Sequence, residues 1–232
     1  MHPARPTEKG DKGAMEDQHI LVVLPHPDDE AFGLSGTLAK HIENGAAVTY
    51  ACLTLGEMGR NMGNPPFASR ISLPKIRLEE LQESCRVIGI QDLRTMGFHD
   101  KMIEFEDQDE LDRRLRELLD ELKPGLVYTF YPGYAVHPDH DATGAAVVRV
   151  IGALPEETRP VVRCLAFAPG CEQALGAPDV EVDVSAFLKQ KTGSIRAHRS
   201  QFRFDAMLES NSPEDRQMIE RLGKERFWTW QY

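Results

Sequence analysis

Residues 20–30 read ILVVLPHPDDE, an apolar run that passes directly into a run of polar residues. The first five residues are all apolar and include the β-branched Ile20, Val22 and Val23, which is typical of a strand that is buried on both faces. Strands of this kind belong to parallel sheets, and such sheets bind ligands at the carboxyl ends of their strands. The polar residues from His26 onward stand at that end.

Apolar and amphipathic segments alternate along the rest of the chain. Further strands are predicted at residues 47–53, 93–97, 126–131, 161–167 and 180–184. Helices are predicted at residues 32–43, 75–88, 106–122, 141–151, 187–198 and 213–222. Strands that alternate with helices form parallel βαβ units. The sequence therefore predicts an α/β fold, a Rossmann-like arrangement of three layers with a mainly parallel sheet.

The composition is that of a globular protein with an excess of acidic residues. Of 232 residues, 27 are Lys or Arg and 37 are Asp or Glu, which gives a formal net charge of −10. This balance argues against nucleic acid or an anionic membrane as a partner, because proteins bind both through an excess of positive charge. The apolar runs are also too short for a transmembrane helix.

The chain is predicted to form one domain over residues 19–232. A disordered tail is predicted at residues 1–18, which are rich in Pro, Gly and charged residues. None of the four cysteines belongs to a CxxC pair, and three of them have apolar neighbours. We therefore expect reduced, structural cysteines and a reducing compartment, the cytoplasm.

A second polar cluster, His137-Pro138-Asp139-His140, follows the strand predicted at residues 126–131. Parallel topology places both clusters at the same edge of the sheet. His26 and Asp29 are three positions apart, as are the two histidines of the second cluster, so each pair can point at one metal ion. A hydrolytic zinc site needs three protein ligands and one open position. The other interpretation is that the acidic residues cap the following helix and the histidines are surface loop residues.

A long segment, residues 56–74, separates the second predicted strand from the next helix and is rich in Gly, Pro, Asn and Ser. Loops of this length in compact domains are often functional. Four basic residues lie in it or beside it: Arg60, Arg70, Lys75 and Arg77. Because Arg binds carboxylates through paired hydrogen bonds, the loop is predicted to hold an anionic part of a substrate. Alternatively, these charges are solvated, or Arg77 pairs with Glu80 on one helix face.

The two clusters resemble the signature motifs of the PIG-L or LmbE-like N-acetylglucosamine deacetylase family, (A/P)HPDDE after the first strand and HPDH later. The similarity extends from about residue 20 to residue 201. It includes residues 54–57, Arg77, Glu80, residues 98–100, Lys191, His198 and Gln201. Within the family, residues 56–63 and 132–140 are most similar to the second type of bacillithiol-biosynthesis deacetylase, which acts on N-acetylglucosaminyl malate.

The resemblance implies a role for each matching residue. The ligands of Zn²⁺, or of Fe²⁺ or another divalent metal, would be His26, Asp29 and His140. Asp28 would be the general base. His137, as a cation, would stabilise the oxyanion or protonate the leaving amine, and Asp139 would orient it. Substrate contacts would come from Glu57, Arg77 and Asp100. Arg60 is a further candidate for a substrate contact because of its positive charge. His198 and Gln201 are expected to support the site or the fold.

The fold implied by the resemblance is the α/β fold predicted above, and the implied activity is hydrolytic. The expected function is zinc-dependent removal of acetyl from an N-acetylglucosaminyl conjugate, with N-acetylglucosaminyl malate as the expected substrate. The alternatives are a thiol S-conjugate amidase of the same family, a deacetylase of chitooligosaccharides or other sugars, and a non-catalytic module that binds metal or sugar. Relatives are often oligomers, so a homo-oligomer is also expected. The aromatic cluster at residues 227–230 is predicted to dock on the core, with a subunit contact as the alternative.

Overall fold

A computed structural model of the protein describes residues 19–209, 212–213 and 221–232. Seven strands in these residues form one sheet. Their bounds are β1 Ile20–Leu24, β2 Val48–Cys52, β3 Asp92–Thr95, β4 Leu126–Phe130, β5 Val161–Leu165, β6 Val180–Asp183 and β7 Lys224–Thr229. The tail predicted at residues 1–18 lies outside the described residues, as does most of the helix predicted at residues 213–222.

The strand order is β3-β2-β1-β4-β5-β7-β6. β1 pairs in parallel with β2 on one side and with β4 on the other, so Ile20 lies opposite both Val48 and Leu126. The pairs β2–β3 and β4–β5 are also parallel. β7 is the exception, because it runs antiparallel between β5 and β6. The prediction of a mainly parallel sheet is confirmed.

Helices flank the sheet along the described part of the chain. Their bounds are α1 Asp29–Gly33, α2 Ser35–Glu43, α3 Leu73–Ile88, α4 Gln108–Leu122, α5 Pro138–Gly152, α6 Cys171–Leu175, α7 Leu188–Ala197 and α8 Phe204–Glu209. Short 3₁₀ turns occupy Ile103–Phe105, Glu156–Thr158 and Ser185–Phe187. The sequence pattern predicts neither α6 nor α8. Among the described residues, no helix has both the length and the apolar character of a membrane span.

The side chains of β1 alternate between two apolar cores, one on each face of the sheet. Ile20, Val22 and Leu24 pack in the cluster that contains residues of α2 and α3. Leu21 and Val23 pack in the cluster that contains residues of α4 and α5. All five are at most 1% exposed. The strand is therefore buried on both faces, and the prediction of three layers is confirmed.

The helix predicted at residues 32–43 is interrupted in the structure. It starts earlier, at the first residue of α1, and leaves the helical conformation at Leu34, where φ is −140°. The first free amides of α2, those of Gly36 and Thr37, donate to the Glu225 carboxylate on β7 at 3.0 and 2.6 Å. A carboxylate there satisfies amides that a helix N-terminus leaves without partners. The local sequence pattern does not show this break, because the carboxylate comes from a strand close to the end of the described residues.

The sequence pattern also does not predict β7, although it predicts that the aromatic cluster docks on the core. Phe227 is fully buried and Trp228 is 6% exposed, so the docking is confirmed, and it takes the form of an inserted strand. Glu225 on this strand pairs with Lys191 on α7 at 2.6 Å, and both side chains are at most 1% exposed. The strand thereby ties α2 and α7 to the sheet.

Helix α5 passes very close to the end of β4. A Cβ atom at Gly144 would lie 2.2 Å from the carbonyl oxygen of Phe130, and this oxygen belongs to backbone that cannot rotate away. The absence of a side chain at Gly144 therefore sets the distance between the strand and the helix. Since the second polar cluster starts this helix, the same contact fixes its position.

Gly144→Ala is expected to destabilise the protein by about 1–3 kcal/mol, the usual cost of overpacking, despite the better helix propensity of Ala. Urea unfolding measures the loss. The matched control is Gly152→Ala, at the end of the same helix, where the new Cβ would meet only the ring of Tyr232 at 3.1 Å. The control should change stability by less than about 0.5 kcal/mol. Equal losses in the two variants would show that the contact with β4 does not limit the spacing.

Candidate active site

Three loops at the carboxyl edge of the sheet meet beside β1. They follow β1, β3 and β4, and they carry His26, Asp100 and the residues that lead into α5. β1 lies between β2 and β4, where the strand order changes direction. Open α/β sheets bind ligands in the crevice at such a point. The structure brings the two polar clusters together here.

The three predicted metal ligands converge on one point. Nδ1 of His26 lies 3.2 Å from Nε2 of His140, and this second nitrogen lies 3.0 Å from Oδ1 of Asp29. Oδ2 of Asp29 lies 3.5 Å from Nδ1 of His26. Ligand atoms at 2.0–2.1 Å from a tetrahedral zinc ion are about 3.3 Å from one another. The residues present therefore fit a divalent metal at this point.

Carboxylates on the far side of the His26 ring fix its orientation. Nε2 of His26 lies 3.1 Å from Oδ1 of Asp100 and 3.2 Å from Oδ2 of Asp139. An ionised carboxylate only accepts hydrogen bonds, so Nε2 carries a proton and Nδ1 is the nitrogen that can offer a lone pair to a metal. Metal-binding histidines commonly donate their second N–H to a carboxylate in this way.

The His140 ring is held with the opposite nitrogen toward the cluster. Its Nδ1 donates to the carbonyl oxygen of Ala135 at 2.9 Å. The ring also stacks on Phe130, with centroids 4.0 Å apart and an angle of 12° between the planes. Nε2 is thereby left to face Asp29 and His26. Two ring nitrogens and a carboxylate at this spacing need a cation between them, either a proton or a metal.

Two other sets of side chains also bring ligand atoms within 4.8 Å of one another. They are His26, His137 and His140, and His26, Asp100 and Asp139. In the second set, the carboxylates already accept backbone amides, from Met58 at 2.8 Å and from Lys101 at 2.6 Å. In the set of His26, Asp29 and His140, the ligand atoms lie 3.0–3.5 Å from one another and both ring nitrogens have a lone pair to offer, so it is the one we assign as the candidate metal site.

Asp28 stands beside these ligands in a strained backbone conformation. Its φ is 114°, in the left-handed region, although it is not a glycine. It occupies the N-cap position of α1, yet its side chain makes no capping hydrogen bond to the residues described. The cap interpretation therefore does not account for Asp28. Burial raises the pKa of Asp28 to about 6, against the opposing effect of the Arg77 guanidinium. A carboxylate with such a pKa can exchange protons near neutral pH.

Arg77 has a different position from the one expected for an aglycone contact. Its side chain is 5% exposed, and it donates to Oδ2 of Asp28 at 2.9 Å, to the carbonyl oxygen of Gly56 at 2.9 Å, and to that of Pro27. A guanidinium enclosed in this way has no open side for a substrate carboxylate. The structure gives it the role of charge partner to Asp28. The ion pair with Glu80 does not form either, since Glu80 accepts from the amide and hydroxyl of Ser200.

The second cluster also differs in detail from its predicted arrangement. The Asp139 carboxylate faces His26, and accepts from the backbone amides of Lys101 and Ile103, so it does not orient His137. The Asp139 backbone amide does so instead, because it donates to Nδ1 of His137 at 3.1 Å. Burial, followed by the neighbouring His26 and His140 rings, lowers the pKa of His137. A neutral ring with its proton on Nε2 fits this environment better than the predicted cation.

The remaining predicted substrate residues separate into two groups. Asp100 is 5% exposed and holds His26, and Glu57 accepts from the Asp100 amide at 2.9 Å, so both support the site from within the protein. Arg60 is exposed, and makes no hydrogen bond or ion pair with any described residue. Arg70 donates to the carbonyl oxygens of Glu57 and Gly59 and so stabilises the loop itself.

Two residues near the site were not assigned a role from the sequence. Lys101 follows Asp100 directly, and it has a φ of 66° and an exposed side chain. The sequence does not show this exposure, because it depends on the conformation of the loop after β3. Glu30 ends the first motif, and its carboxylate is fully buried. An acidic residue directly after two metal-site aspartates is a signal that could have identified it.

Comparison with known proteins identifies the family. Residues 21–151 match PIG-L, described as GlcNAc-PI de-N-acetylase. The chain belongs to the PIG-L family. A PIG-L relative from Bacillus anthracis, "Probable N-acetyl-alpha-D-glucosaminyl L-malate deacetylase 2", is 45% identical over 218 residues, which cover 93% of this chain and 96% of the relative. The protein of the same description from Bacillus subtilis is 44% identical over 220 residues, with coverage of 93% and 98%.

A solved structure supports the fold of this PIG-L chain. The N,N'-diacetylchitobiose deacetylase from Pyrococcus horikoshii, in complex with its inhibitor MPG, superposes with a TM-score of 0.71. It is 25% identical, and the match covers 92% of this chain and 84% of that one. The predicted family resemblance and the predicted α/β fold are both confirmed.

His140→Ala is expected to lose most of its divalent metal, because one of three ligands is removed. His137→Ala is the matched control and should keep about one ion per chain, since His137 lies outside the assigned set. Elemental analysis after mild dialysis measures both. Unchanged metal in His140→Ala would remove His140 from the ligand set, and loss of metal in His137→Ala would instead favour the set of three histidines.

Proposed function

We propose that this protein is a zinc-dependent N-deacetylase that releases acetate from N-acetylglucosaminyl malate. The observation that carries the activity is the position of Asp28 beside three converging candidate metal ligands: Arg77 binds one oxygen of its carboxylate, and the other makes no hydrogen bond with any residue that the structure describes. The substrate assignment is supported by the 45% identity to the Bacillus anthracis relative, whose description names this conjugate.

His26, Asp29 and His140 would hold the metal. Imidazole and carboxylate ligands suit Zn²⁺, and they also suit Fe²⁺ and other divalent ions, so Zn²⁺ is the proposed ion and Fe²⁺ the alternative. When bound, the ion supplies Lewis acidity toward the acetyl carbonyl and toward water. The carboxylates around His26 hold that ring in place while the reaction proceeds.

Asp28 moves the proton. Arg77 occupies Oδ2, so Oδ1 is the atom that accepts a proton from the attacking water as the new C–O bond forms. The same oxygen then gives this proton to the amide nitrogen as the C–N bond breaks, and acetate and a free amine are the products. One carboxyl group can perform both steps, because the protonated form that it reaches in the first step is the acid that the second step needs.

His137 stabilises the charge that develops on the acetyl oxygen. Its Nδ1 accepts from the Asp139 amide, which places the ring proton on Nε2. That N–H can donate to the oxygen of the tetrahedral intermediate. A neutral donor fits the lowered pKa of His137 and leaves the protonation of the amine to Asp28.

The anionic malate group would be bound by exposed cations at the rim of the site. Arg77 is enclosed, so the proposed contacts are Arg60, in the loop after β2, and Lys101, in the loop after β3. Both have exposed side chains, and neither makes a hydrogen bond or ion pair through its side chain with the part of the chain that the structure describes. Carboxylates bind such groups through charge-assisted hydrogen bonds.

Asp28→Asn should keep its metal and lose activity by about 10²–10⁴-fold, the range for a positioned acid or base. The substitution preserves the shape of the side chain and removes the proton acceptor. Deacetylation rates and metal content are measured on the same preparation. Turnover close to that of the wild type, with metal retained, would require a different base.

Arg60→Ala and Lys101→Ala should each lower kcat/KM for N-acetylglucosaminyl malate roughly 5- to 30-fold, because a charged hydrogen bond is lost. This factor corresponds to a loss of about 1–2 kcal/mol of transition-state stabilisation. The same variants should change kcat/KM for the uncharged methyl N-acetylglucosaminide much less. Lys75→Ala is the matched control. Lys75 is also an exposed cation, but it lies on α3 and is not assigned to the substrate. Equal losses on the two substrates would refute the assignment of these cations to malate.

A substrate panel tests the proposed function as a whole. Release of free amine is measured on N-acetylglucosaminyl malate, methyl N-acetylglucosaminide, diacetylchitobiose and a thiol S-conjugate amide, with metal analysis of the same sample. The malate conjugate should give the highest kcat/KM. Preference for the S-conjugate would make the protein an amidase, preference for diacetylchitobiose a chitooligosaccharide deacetylase, and no turnover by metal-loaded protein would leave a binding module.

A further inference from the structure

Asp28 needs a partner for its backbone as well as for its side chain. A residue with a Cβ atom is strained in the left-handed region, and this conformation persists only where the surroundings hold it. The φ of 114° at Asp28 turns the chain sharply between β1 and α1. Arg77 holds the carboxylate, but a bond to one carboxylate oxygen does not fix the backbone amide.

Glu30 holds that amide. Its Oε2 accepts from the backbone N–H of Asp28 at 3.2 Å, and also from the hydroxyl of Tyr50 at 3.3 Å. The same Tyr50 hydroxyl reaches the carbonyl oxygen of His26 at 3.2 Å. Two donors therefore orient this oxygen. One is the amide of Asp28 itself, and the other is the Tyr50 hydroxyl, which lies against the backbone of His26.

The other oxygen of Glu30 is held from the opposite side. Oε1 accepts from Nε2 of His198 at 2.7 Å and from the hydroxyl of Ser84 at 2.5 Å. Glu30 and His198 are both fully buried. Although burial alone would raise the pKa of Glu30, His198 and Ser84 lower it, and Glu30 in turn raises the pKa of His198. The carboxylate thus has four donors and is held as an anion.

Stability alone is a weak reason for this pair. The loss of hydration on burying two charges can exceed their attraction, and apolar side chains of similar size often stabilise a protein as well or better. The pair lies directly behind the residue that must adopt a strained conformation. Its four hydrogen bonds join α1, α3, β2 and the end of α7, so the position of Asp28 is tied to three separate elements.

We propose that Glu30, oriented by His198, is a positioning residue that holds Asp28 in its left-handed conformation, so that the free carboxylate oxygen faces the metal site. The inference rests on the proposed function, because it takes Asp28 as the base. Glu30 and His198 touch neither the metal ligand atoms nor the substrate in this arrangement, and they act through Asp28 only.

Glu30→Met removes both acceptors at nearly constant volume. A displacement of a reacting group by about 1 Å can cost on the order of 10²-fold in rate, so kcat should fall by that order while KM and metal content stay close to those of the wild type. Glu30→Gln keeps one oxygen that can accept from the Asp28 amide, and it should recover most of the lost kcat. If Glu30→Gln is as slow as Glu30→Met, the hydrogen bond to Asp28 is not what matters and the proposal is wrong.

The matched control is Glu80→Met, which removes a carboxylate that is also buried, on α3, and that binds Ser200 instead of Asp28. Urea unfolding should show a loss of stability in both Met variants, whereas kcat per folded molecule should fall only in Glu30→Met. Equal falls in kcat would mean that loosening this region of the fold, and not the position of Asp28, slows the enzyme.

His198 provides a second route if Glu30→Met does not fold. His198→Gln can still donate from its side-chain amide to Oε1 of Glu30, whereas His198→Ala cannot. We expect His198→Ala to lower kcat by about 10-fold or more at unchanged metal content, and His198→Gln to recover it to within about 3-fold. Identical rates in the two variants would contradict the orienting role of His198.

A readout that needs no activity separates this proposal from the proposed function. In crystal structures of the zinc-loaded proteins, Asp28 should keep φ near 114° in the wild type and in Glu30→Gln, and should leave the left-handed region in Glu30→Met. If wild type deacetylates no substrate of the panel, the proposed function fails, and this comparison still decides the positioning role. An unmoved Asp28 in Glu30→Met overturns the proposal.

Discussion

The parallel pairing of β1 with both β2 and β4 is the constraint on which the site depends. It brings the ends of three strands to one place, although the two histidine clusters are more than 100 positions apart along the chain, with His26 and His140 separated by 114. The two apolar cores on either side of β1 make this register costly to change, because a shift by one residue would turn every side chain to the other face. Packing inside the sheet thus sets distances between polar groups at its edge.

The edge itself concentrates negative charge in a poorly solvated space. Three carboxylates lie within 3.5 Å of the His26 ring nitrogens, and a fourth, on Asp28, is balanced by a buried guanidinium. Such an arrangement is unfavourable without a cation, and it is paired with backbone strain at Asp28. Stabilising networks such as Glu30 with His198 compensate for that strain behind the site. The candidate metal ligands and the groups behind them are therefore parts of one electrostatic arrangement.

The sequence predicts what depends on local pattern and strand order, and it fails where a partner comes from a distant segment. The fold, the edge of the sheet and the meeting of the two clusters follow from apolar runs and spacing. The position of Arg77 does not, because only the folded loop shows that Asp28 and two carbonyl groups enclose it. The same holds for Asp139, which is expected from its position in the sequence to orient His137. Its carboxylate instead accepts a hydrogen bond from His26, which belongs to another loop. The break at Leu34 depends on Glu225 in the same way.

The late position of β7 in the chain has a consequence for synthesis of the protein. Chains emerge from the ribosome with their N-terminal part first, and partly exposed strand edges in such chains are prone to aggregate. Until residues 224–229 emerge, β5 has an open edge, β6 has no strand with which to pair, and Lys191 lacks its carboxylate. The sheet is therefore completed only after nearly all of the described chain has been made, when β7 pairs with β5 and β6. A nascent chain stalled before this strand would be a natural client for chaperones.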